Sequence, residues 1–210
     1  MGLALTLLAL LMAGAVALRL RPVRRVSRGR PIPTTGRRGS ALILVHLQPD
    51  CVQRGPYPPE ERDAVLARID ALTDAAQVAG RPVIALRHGW HDPVLRGLAH
   101  GFLRGRGLPG TAGTALMPPA DAADHILDTS LRDGFADGTL DMLLDYLGVA
   151  TLEIAGAEAT TAVACTALAA RQRGYAVTVH EDAILGRASR RWPALRTRLA
   201  RQGIAFAGGA

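Results

Sequence analysis

The chain has 210 residues, of which 49% are hydrophobic and 20% charged, and this is enough apolar material for one globular core. That composition excludes an intrinsically disordered chain, and two cysteines in 210 residues exclude a disulfide-rich scaffold. All 25 basic residues are arginine, because lysine does not occur, so any mechanism that requires a lysine is excluded.

The net charge of +7 is concentrated at the start of the chain. Residues 1–38 contain eight arginines and no acidic residue, whereas residues 39–210 contain 17 arginines and 18 acidic residues. A folded basic surface, which nucleic-acid-binding proteins use to contact phosphates, is therefore not expected. We exclude nucleic acid as a partner.

The first 18 residues predict an N-terminal hydrophobic helix. Residues 2–18 are uncharged and mostly apolar, and a helix of that length spans about 26 Å, slightly less than a bilayer core. Arginines follow this run, so the positive-inside rule places the rest of the chain in the cytoplasm, and we expect residues 1–18 to be a transmembrane signal anchor. The alternatives are a cleaved signal peptide and a gene-start artefact, and the latter makes the protein cytoplasmic.

Residues 19–40 are rich in Arg, Pro, Gly, Ser and Thr and show no periodicity. This composition predicts a juxtamembrane linker that precedes a folded domain over residues 41–210. The arginines of the linker have two interpretations, contact with an anionic membrane surface or a solvated basic tail.

From residue 41 onward, short apolar runs alternate with amphipathic stretches, which is the pattern of βα units. Strands are predicted at residues 41–46, 82–86, 125–127, 151–155, 175–180 and 204–206, and helices at 59–79, 139–147, 160–172 and 189–201. Between them, residues 88–121 predict a long loop of the kind that usually belongs to a functional site. We expect a three-layer α/β/α sandwich around a six-stranded, mainly parallel, Rossmann-like sheet, with a pocket at the carboxyl ends of its central strands.

Several ordered motifs point to a known family. The run ALILVHLQPD at residues 41–50 resembles a buried strand followed by Asp-x-Gln-x-Asp, with Gln48 and Asp50 matching. Further matching segments follow in the family's order, at residues 109–111, 152–156, 166–167, 174–175 and 181–183. Together they resemble the isochorismatase-like cysteine hydrolases, which include nicotinamidases and carbamoyl-amide hydrolases. The resemblance implies the α/β/α fold and hydrolysis of a C–N bond or a vinyl ether.

The chemistry that this resemblance implies uses an aspartate base, a lysine, and a cysteine nucleophile at a helix N-terminus. The matching positions in this chain hold His46, Thr129 and Ala162. All three reacting groups are therefore replaced. Relatives that cleave vinyl ethers without the cysteine keep the aspartate, which is also missing here. His46 has two interpretations, a general acid or a hydrogen-bonded core residue.

Seven further side chains are candidate pocket residues, namely Gln48, Asp50, His88, Trp90, Phe135, Thr161 and Cys165. Cys165 lies about one helical turn beyond Ala162 and is either a structural thiol or a displaced nucleophile. Thr161, like Thr160, either caps the helix or acts as a nucleophile with His46 as its base. Trp90 and Phe135 are pocket walls or ordinary core residues, and Cys51 is expected to pack near the pocket mouth.

Residues 87–93 resemble the segment of nicotinamidases in which an Asp-x-His pair and a further histidine hold a metal. Gly89 replaces that aspartate. The remaining metal candidates are His91 and His100, with His88 or Asp50, and they lack a fixed helical spacing. We expect no cofactor.

Three hypotheses follow. The first is a membrane-tethered pseudoenzyme that retains a ligand pocket or an oligomer interface, because the base, the cation and the nucleophile are lost together. The second is an active hydrolase of a small amide or vinyl ether that uses His46 with Thr161, Cys165 or a bound metal. The third is an unrelated α/β module or a partner subunit. The expected partners are a small-molecule ligand and a second chain, in a homo-oligomer or in a hetero-oligomer with an active homologue.

Overall fold

The computed structural model describes residue 14, residues 26–33 and residues 36–209. Apart from residue 14, the predicted anchor over residues 1–18 lies outside the described residues. Within the described part of the chain, no helix combines the length and the apolar character needed to cross a membrane.

Six strands form one sheet that is parallel throughout. They are β1 (Gly39–Val45), β2 (Val83–His88), β3 (His125–Thr129), β4 (Val149–Gly156), β5 (Ala176–Ile184) and β6 (Ala205–Ala207). Their order in the sheet is β3-β2-β1-β4-β5-β6. The chain crosses to the other half of the sheet between β3 and β4, and the switch point lies between the neighbouring strands β1 and β4. Open parallel sheets bind ligands at such a switch point, outside the carboxyl ends of the strands. The predicted α/β/α fold with six strands is confirmed.

Helices cover both faces of the sheet. They are α1 (Pro49–Val52), α2 (Pro59–Val78), α3 (Pro93–Phe102), α4 (Thr139–Tyr146), α5 (Ala164–Gln172) and α6 (Trp192–Arg201). A π-helical segment, Ala159–Val163, leads into α5, and single 3-10 turns lie at Ala112–Thr114 and Ala120–Ala122.

Strand β1 is buried on both faces because its alternate residues belong to two different cores. Leu42 and Leu44 lie in the core that α2 covers, whereas Ile43 and Val45 lie in the core that α4, α5 and α6 cover. A strand buried on both sides has no polar alternation, which explains the continuous apolar run in the sequence.

The predicted loop over residues 88–121 contains a helix that the sequence analysis missed, α3. Asp92 caps this helix by accepting hydrogen bonds from the backbone N–H groups of Val94 and Leu95, and a proline stands in its first turn. Gly97 and Gly101 lie inside the helix, and glycine has a low helix propensity. Because of these two glycines, the sequence did not predict a helix here.

The described part of the predicted linker packs against the domain. Val26 and Ile32 lie against the core that α4, α5 and α6 cover. The backbone N–H of Ile32 donates to the carbonyl of Arg173 at 2.7 Å, and the Arg173 guanidinium donates to the carbonyl of Ser27 at 3.1 Å. Residues 26–33 therefore differ from a free linker, because apolar burial and long-range hydrogen bonds hold them in place.

Candidate active site

The carboxyl end of β1 carries a buried histidine with an unusual backbone. His46 follows β1 directly, is 2% exposed, and has a φ of 51°, in the left-handed region. A residue with a Cβ pays roughly 1–2 kcal/mol for this conformation. The backbone N–H of His46 donates to the carbonyl of Leu86 at 3.0 Å, which helps to hold it there. Such outliers concentrate at functional sites, where the surrounding structure imposes them.

A second left-handed residue, Glu158, lies beside His46. Glu158 has a φ of 65° and stands directly before the π-helical segment. Its Oε2 lies 2.9 Å from Nδ1 of His46. The end of β4 can pack closely against the end of β1 because position 156 is glycine. A Cβ at Gly156 would overlap the backbone of Val45 on β1.

The hydrogen bond between Glu158 and His46 determines where the proton lies. Burial alone would raise the pKa of Glu158, but the hydrogen bond from His46 and, to a smaller extent, the charge of Arg132 lower the pKa overall. Glu158 is therefore ionised at neutral pH, and a carboxylate can only accept a hydrogen bond. Nδ1 of His46 consequently carries the shared proton, and in the neutral ring Nε2 can accept another one.

These two side chains line a cavity of about 280 Å³ at the switch point of the sheet. Four of the predicted pocket residues line the same cavity, namely Gln48, Asp50, His88 and Trp90. Four further lining residues are Cys51, Tyr57, Arg106 and Arg132. A cavity of this volume suits a small molecule rather than a polymer.

Gln48 and Asp50 hold the cavity walls together. The side-chain amide of Gln48 donates to the carbonyls of His88 and Thr114, at 2.9 Å each, and accepts from the N–H of His88 at 2.7 Å. The Asp50 carboxylate accepts from the N–H of Gly107 at 2.8 Å and from a neighbouring arginine. Both side chains therefore tie residues 88–121 to the end of β1, and we assign them a positioning role.

His88 lines this cavity and has one buried ring nitrogen without a partner among the described residues. Its ring centroid lies 5.1 Å from that of His46 and 4.6 Å from that of Trp90, which meets it edge-on. Burial and the neighbouring His46 lower the pKa of His88 to about 3, so its ring is neutral at physiological pH. Its buried Nδ1 finds no hydrogen-bond partner in the described part of the chain, which is uncommon for a buried polar atom.

Cys51 brings a thiol close to the His46–Glu158 pair. Its Sγ, a ring nitrogen of His46 and a carboxylate oxygen of Glu158 all lie within 4.8 Å of one another. Burial raises the pKa of the Cys51 thiol strongly, and the negative charges of Glu158 and Asp50 add to this effect. The thiol is therefore protonated at neutral pH, which disfavours a resting thiolate nucleophile.

Three predicted pocket residues do not line the cavity. Phe135 lies in the core, with its ring centroid 5.9 Å from that of Tyr175 and 4.6 Å from the guanidinium carbon of Arg173. Thr161 donates its hydroxyl to the carbonyl of Glu158 at 3.5 Å, close to the start of the π-helical segment. Cys165 lies on α5, where burial raises the pKa of its thiol.

The two positions that the sequence analysis matched to the family's lysine and cysteine are held within the fold. Thr129 is 5% exposed and donates its hydroxyl to the carbonyl of Leu131 at 3.0 Å. Ala162 is fully buried in the core. Arg132, which the sequence analysis missed, comes from the segment after β3, lines the cavity and helps to lower the pKa of Glu158. A cation thus reaches the cavity from the segment that follows β3.

In the described part of the chain, the metal candidates His91 and His100 do not converge with other ligand side chains. Gly89 offers no side-chain ligand, and both oxygens of Asp50 already accept hydrogen bonds. His91 and His100 are exposed, and neither belongs to the cluster of metal-ligating side chains found in the described part of the chain. That cluster consists of His46, Cys51 and Glu158.

Comparison with known families and proteins identifies relatives by sequence. The model of the isochorismatase domain matches residues 40–207. Streptothricin hydrolase from Streptomyces noursei is 30% identical over 145 residues, which cover 68% of this chain and 48% of that protein. The chain therefore spans about half the length of this curated relative.

Solved structures share the fold. N-carbamoylsarcosine amidase from Thermoplasma acidophilum aligns with a TM-score of 0.68 at 22% identity, over 81% of this chain and 96% of that one. Pyrazinamidase of Pyrococcus horikoshii, in complex with zinc, gives 0.69 at 22% identity, over 82% and 100%. An isochorismatase family protein from Desulfovibrio vulgaris gives 0.70 at 24%, over 82% and 94%. At these identities the similarity establishes the fold alone.

Proposed function

The chain belongs to the isochorismatase family, and we propose that it hydrolyses the C–N bond of a small amide with His46 as general acid and base. The observation that carries this proposal is the 2.9 Å contact between Nδ1 of His46 and the Glu158 carboxylate in the wall of the cavity. A carboxylate that binds one ring nitrogen of a histidine fixes the tautomer and orients the ring, as catalytic histidines require.

The proposed reaction starts when Nε2 of His46 takes a proton from water, whose oxygen attacks the amide carbonyl carbon. Glu158 stabilises the imidazolium that forms. His46 then gives the proton to the amide nitrogen as the C–N bond breaks, so the amide and water yield a carboxylic acid and an amine. The arginine side chains of Arg106 and Arg132 supply positive charge at the cavity wall, which favours the negative tetrahedral intermediate.

Two observations support an amide as the substrate. The similar solved proteins include an N-carbamoylsarcosine amidase and a pyrazinamidase, and the similar curated protein is a streptothricin hydrolase. The cavity of about 280 Å³ limits the reacting part of the substrate to a small group. We therefore propose an amide ahead of a vinyl ether.

A ligand-binding pseudoenzyme is the second candidate. The observation that favours it is the replacement of the family's lysine and cysteine by Thr129 and Ala162, which supply neither charge nor nucleophile. In this case the cavity binds a small molecule and His46 serves recognition only.

Turnover of a panel of small amides, nicotinamide included, distinguishes the two candidates. The full-length chain is assayed with EDTA present, and release of amine or ammonia is measured. We expect His46→Ala to lower kcat/KM by about 100-fold or more, whereas Cys165→Ser, the control, stays within about twofold of the unmodified chain. Turnover that survives His46→Ala contradicts the proposed mechanism, and saturable binding without any turnover favours the pseudoenzyme.

We also propose that residues 1–18 tether this domain to a membrane. The test is fractionation of cells that express the full chain with a C-terminal tag. Full-length protein in the membrane fraction supports the tether, and full-length protein in the soluble fraction contradicts it.

A further inference from the structure

Three side chains of different chemistry converge on one wall of the cavity. A ring nitrogen of His46, Sγ of Cys51 and a carboxylate oxygen of Glu158 all lie within 4.8 Å of one another. His46 comes from the end of β1, Cys51 from α1, and Glu158 from the turn after β4. His46 and Cys51 lie five residues apart, whereas Glu158 is 112 residues beyond His46, so the cluster forms only because β4 pairs with β1 in the fold.

The backbone holds two of these groups in place in conformations that are unfavourable for residues with a Cβ. His46 and Glu158 both occupy the left-handed region, with φ values of 51° and 65°. Structural strain of this kind persists where the surrounding structure imposes it, and it is common at ligand-binding sites. Cys51 packs against the core that α2 covers, so its side chain is anchored as well. The three ligand atoms are thus presented by an ordered wall.

The separations are compatible with a zinc site before the ion binds. With bonds of about 2.0–2.3 Å in tetrahedral geometry, the ligand atoms of zinc lie about 3.4–3.8 Å apart. The ligand atoms here lie at most 4.8 Å apart, so the most distant ones need to approach by roughly 1 Å, and the 2.9 Å contact between His46 and Glu158 needs to open slightly. Side-chain rotation alone can supply a movement of this size.

The chemistry of the donor set selects the type of ion. Thiolate and imidazole are ligands that zinc prefers, whereas magnesium and calcium prefer oxygen. Three protein ligands beside an open cavity leave a fourth position free for water or a ligand, as in catalytic zinc sites. A zinc-class ion therefore fits this set better than a hard divalent cation.

We propose that His46, Cys51 and Glu158 bind one zinc-class divalent ion in the cavity wall. Binding forms a metal–sulfur bond, and the thiol proton of Cys51 passes to the buffer. The site lies apart from His91 and His100, the loop histidines that were candidates from the sequence. The proposed site goes beyond the proposed hydrolysis, which needs neither a metal nor Cys51, and because the ion would occupy the His46–Glu158 pair, bound zinc should inhibit that hydrolysis.

Cobalt provides a direct spectroscopic test. The full-length chain is stripped with EDTA, dialysed and titrated with Co²⁺, and its zinc affinity is then measured by competition with a chromophoric chelator. We expect one equivalent to bind and to produce a thiolate-to-cobalt charge-transfer band. Cys51→Ser should abolish this band and weaken zinc binding by at least about 10-fold. The matched control, Cys165→Ser, should retain the charge-transfer band and the zinc affinity of the unmodified chain.

Further variants keep the test decisive if Cys51→Ser does not fold, which circular dichroism will show. Glu158→Gln should retain the charge-transfer band while zinc binding weakens, and the double variant His91→Gln, His100→Gln should bind like the unmodified chain. The site is refuted if the band is lost in Cys165→Ser, if the loop-histidine variant loses binding, or if the unmodified chain binds no stoichiometric zinc at micromolar concentration. Hydrolysis measured in EDTA is a separate readout, so either proposal can fail alone.

Discussion

Two buried polar clusters in this molecule differ in how completely their hydrogen bonds are formed. Arg173 is 2% exposed, and its guanidinium donates to both oxygens of Asp141, at 2.7 and 3.0 Å, and to Ser27 and Ala169. In the cavity, by contrast, Nδ1 of His88 finds no partner in the described part of the chain. In the same cavity, His46 and Glu158 both have left-handed backbone conformations.

The contrast supports a structural role for the Arg173 cluster and agrees with the functional role that we propose for the cavity cluster. All three nitrogens of the Arg173 guanidinium are engaged within the protein, so this cluster stabilises the fold and holds residues 26–33. The cavity cluster leaves hydrogen-bonding capacity for a ligand and retains backbone strain that a purely structural pair would not need. Buried charge alone therefore does not indicate a site, whereas incomplete bonding together with strain does.

Removing Arg173 should have the largest effect on stability. Arg173→Ala leaves the Asp141 carboxylate, which is partly buried, without its cation and removes the hydrogen bonds to the N-terminal segment. We expect the free energy of unfolding to fall by about 3 kcal/mol or more, measured by urea denaturation. Arg190→Ala, at an exposed position, should change it by about 0.5 kcal/mol or less. An equal and small effect of both variants would show that the Arg173 cluster is not structural.

The unpaired His88 should make the fold sensitive to acid. Its pKa is about 3 in the folded protein, against about 6.5 in the unfolded chain, because burial and His46 disfavour the charged ring. Below pH 6.5 the unfolded chain binds a proton that the folded chain does not. The free energy of unfolding therefore decreases as the pH falls from about 6.5 toward 3, by up to about 1.4 kcal/mol per pH unit.

His88→Gln removes this proton linkage. Urea denaturation at several pH values between 6.5 and 5, with EDTA present, should show a shallower loss of stability in the variant than in the unmodified chain. Parallel pH dependences for the two proteins would mean that His88 is not held neutral by its surroundings.

Glycine at position 46 should reveal the backbone strain. His46→Gly and His46→Ala both remove the imidazole, but only glycine adopts a φ of 51° without steric cost. We expect His46→Gly to be more stable than His46→Ala by about 1 kcal/mol in thermal or urea unfolding. The control pair is Arg198→Gly and Arg198→Ala on α6, where the order should reverse, since glycine weakens a helix. Equal stability of the two position-46 variants would show that the backbone at His46 is not strained.

Much of the fold follows from local sequence patterns. The run at residues 41–46 is apolar throughout because β1 is buried on both faces, and this property is visible without a structure. Gln48 and Asp50 follow that strand, so their position at the carboxyl edge of the sheet could be inferred as well. Helix α3 was not predicted because two glycines interrupt its hydrophobic pattern, although Asp92 and Pro93 are residues typical of a helix N-terminus.

The centre of the candidate site could not be predicted in the same way. Glu158 meets His46 only because β1 and β4 are neighbours and both residues are left-handed, and neither condition leaves a pattern in the sequence. Cys51 and Arg132 likewise belong to no spacing motif. The family resemblance pointed correctly to His46, Gln48 and Asp50, which line the cavity, but it also pointed to Thr129, Ala162 and Cys165, which do not.

The central claim is that His46 and Glu158 act as one unit in amide hydrolysis, and a double-mutant cycle tests it most directly. With the best amide of the panel and EDTA present, kcat/KM is measured for His46→Ala, Glu158→Gln and the combined variant. The account predicts that Glu158→Gln lowers kcat/KM, and that the combined variant is no slower than His46→Ala alone, because Glu158 acts through the imidazole. Losses that multiply independently, or full activity in Glu158→Gln, would contradict it.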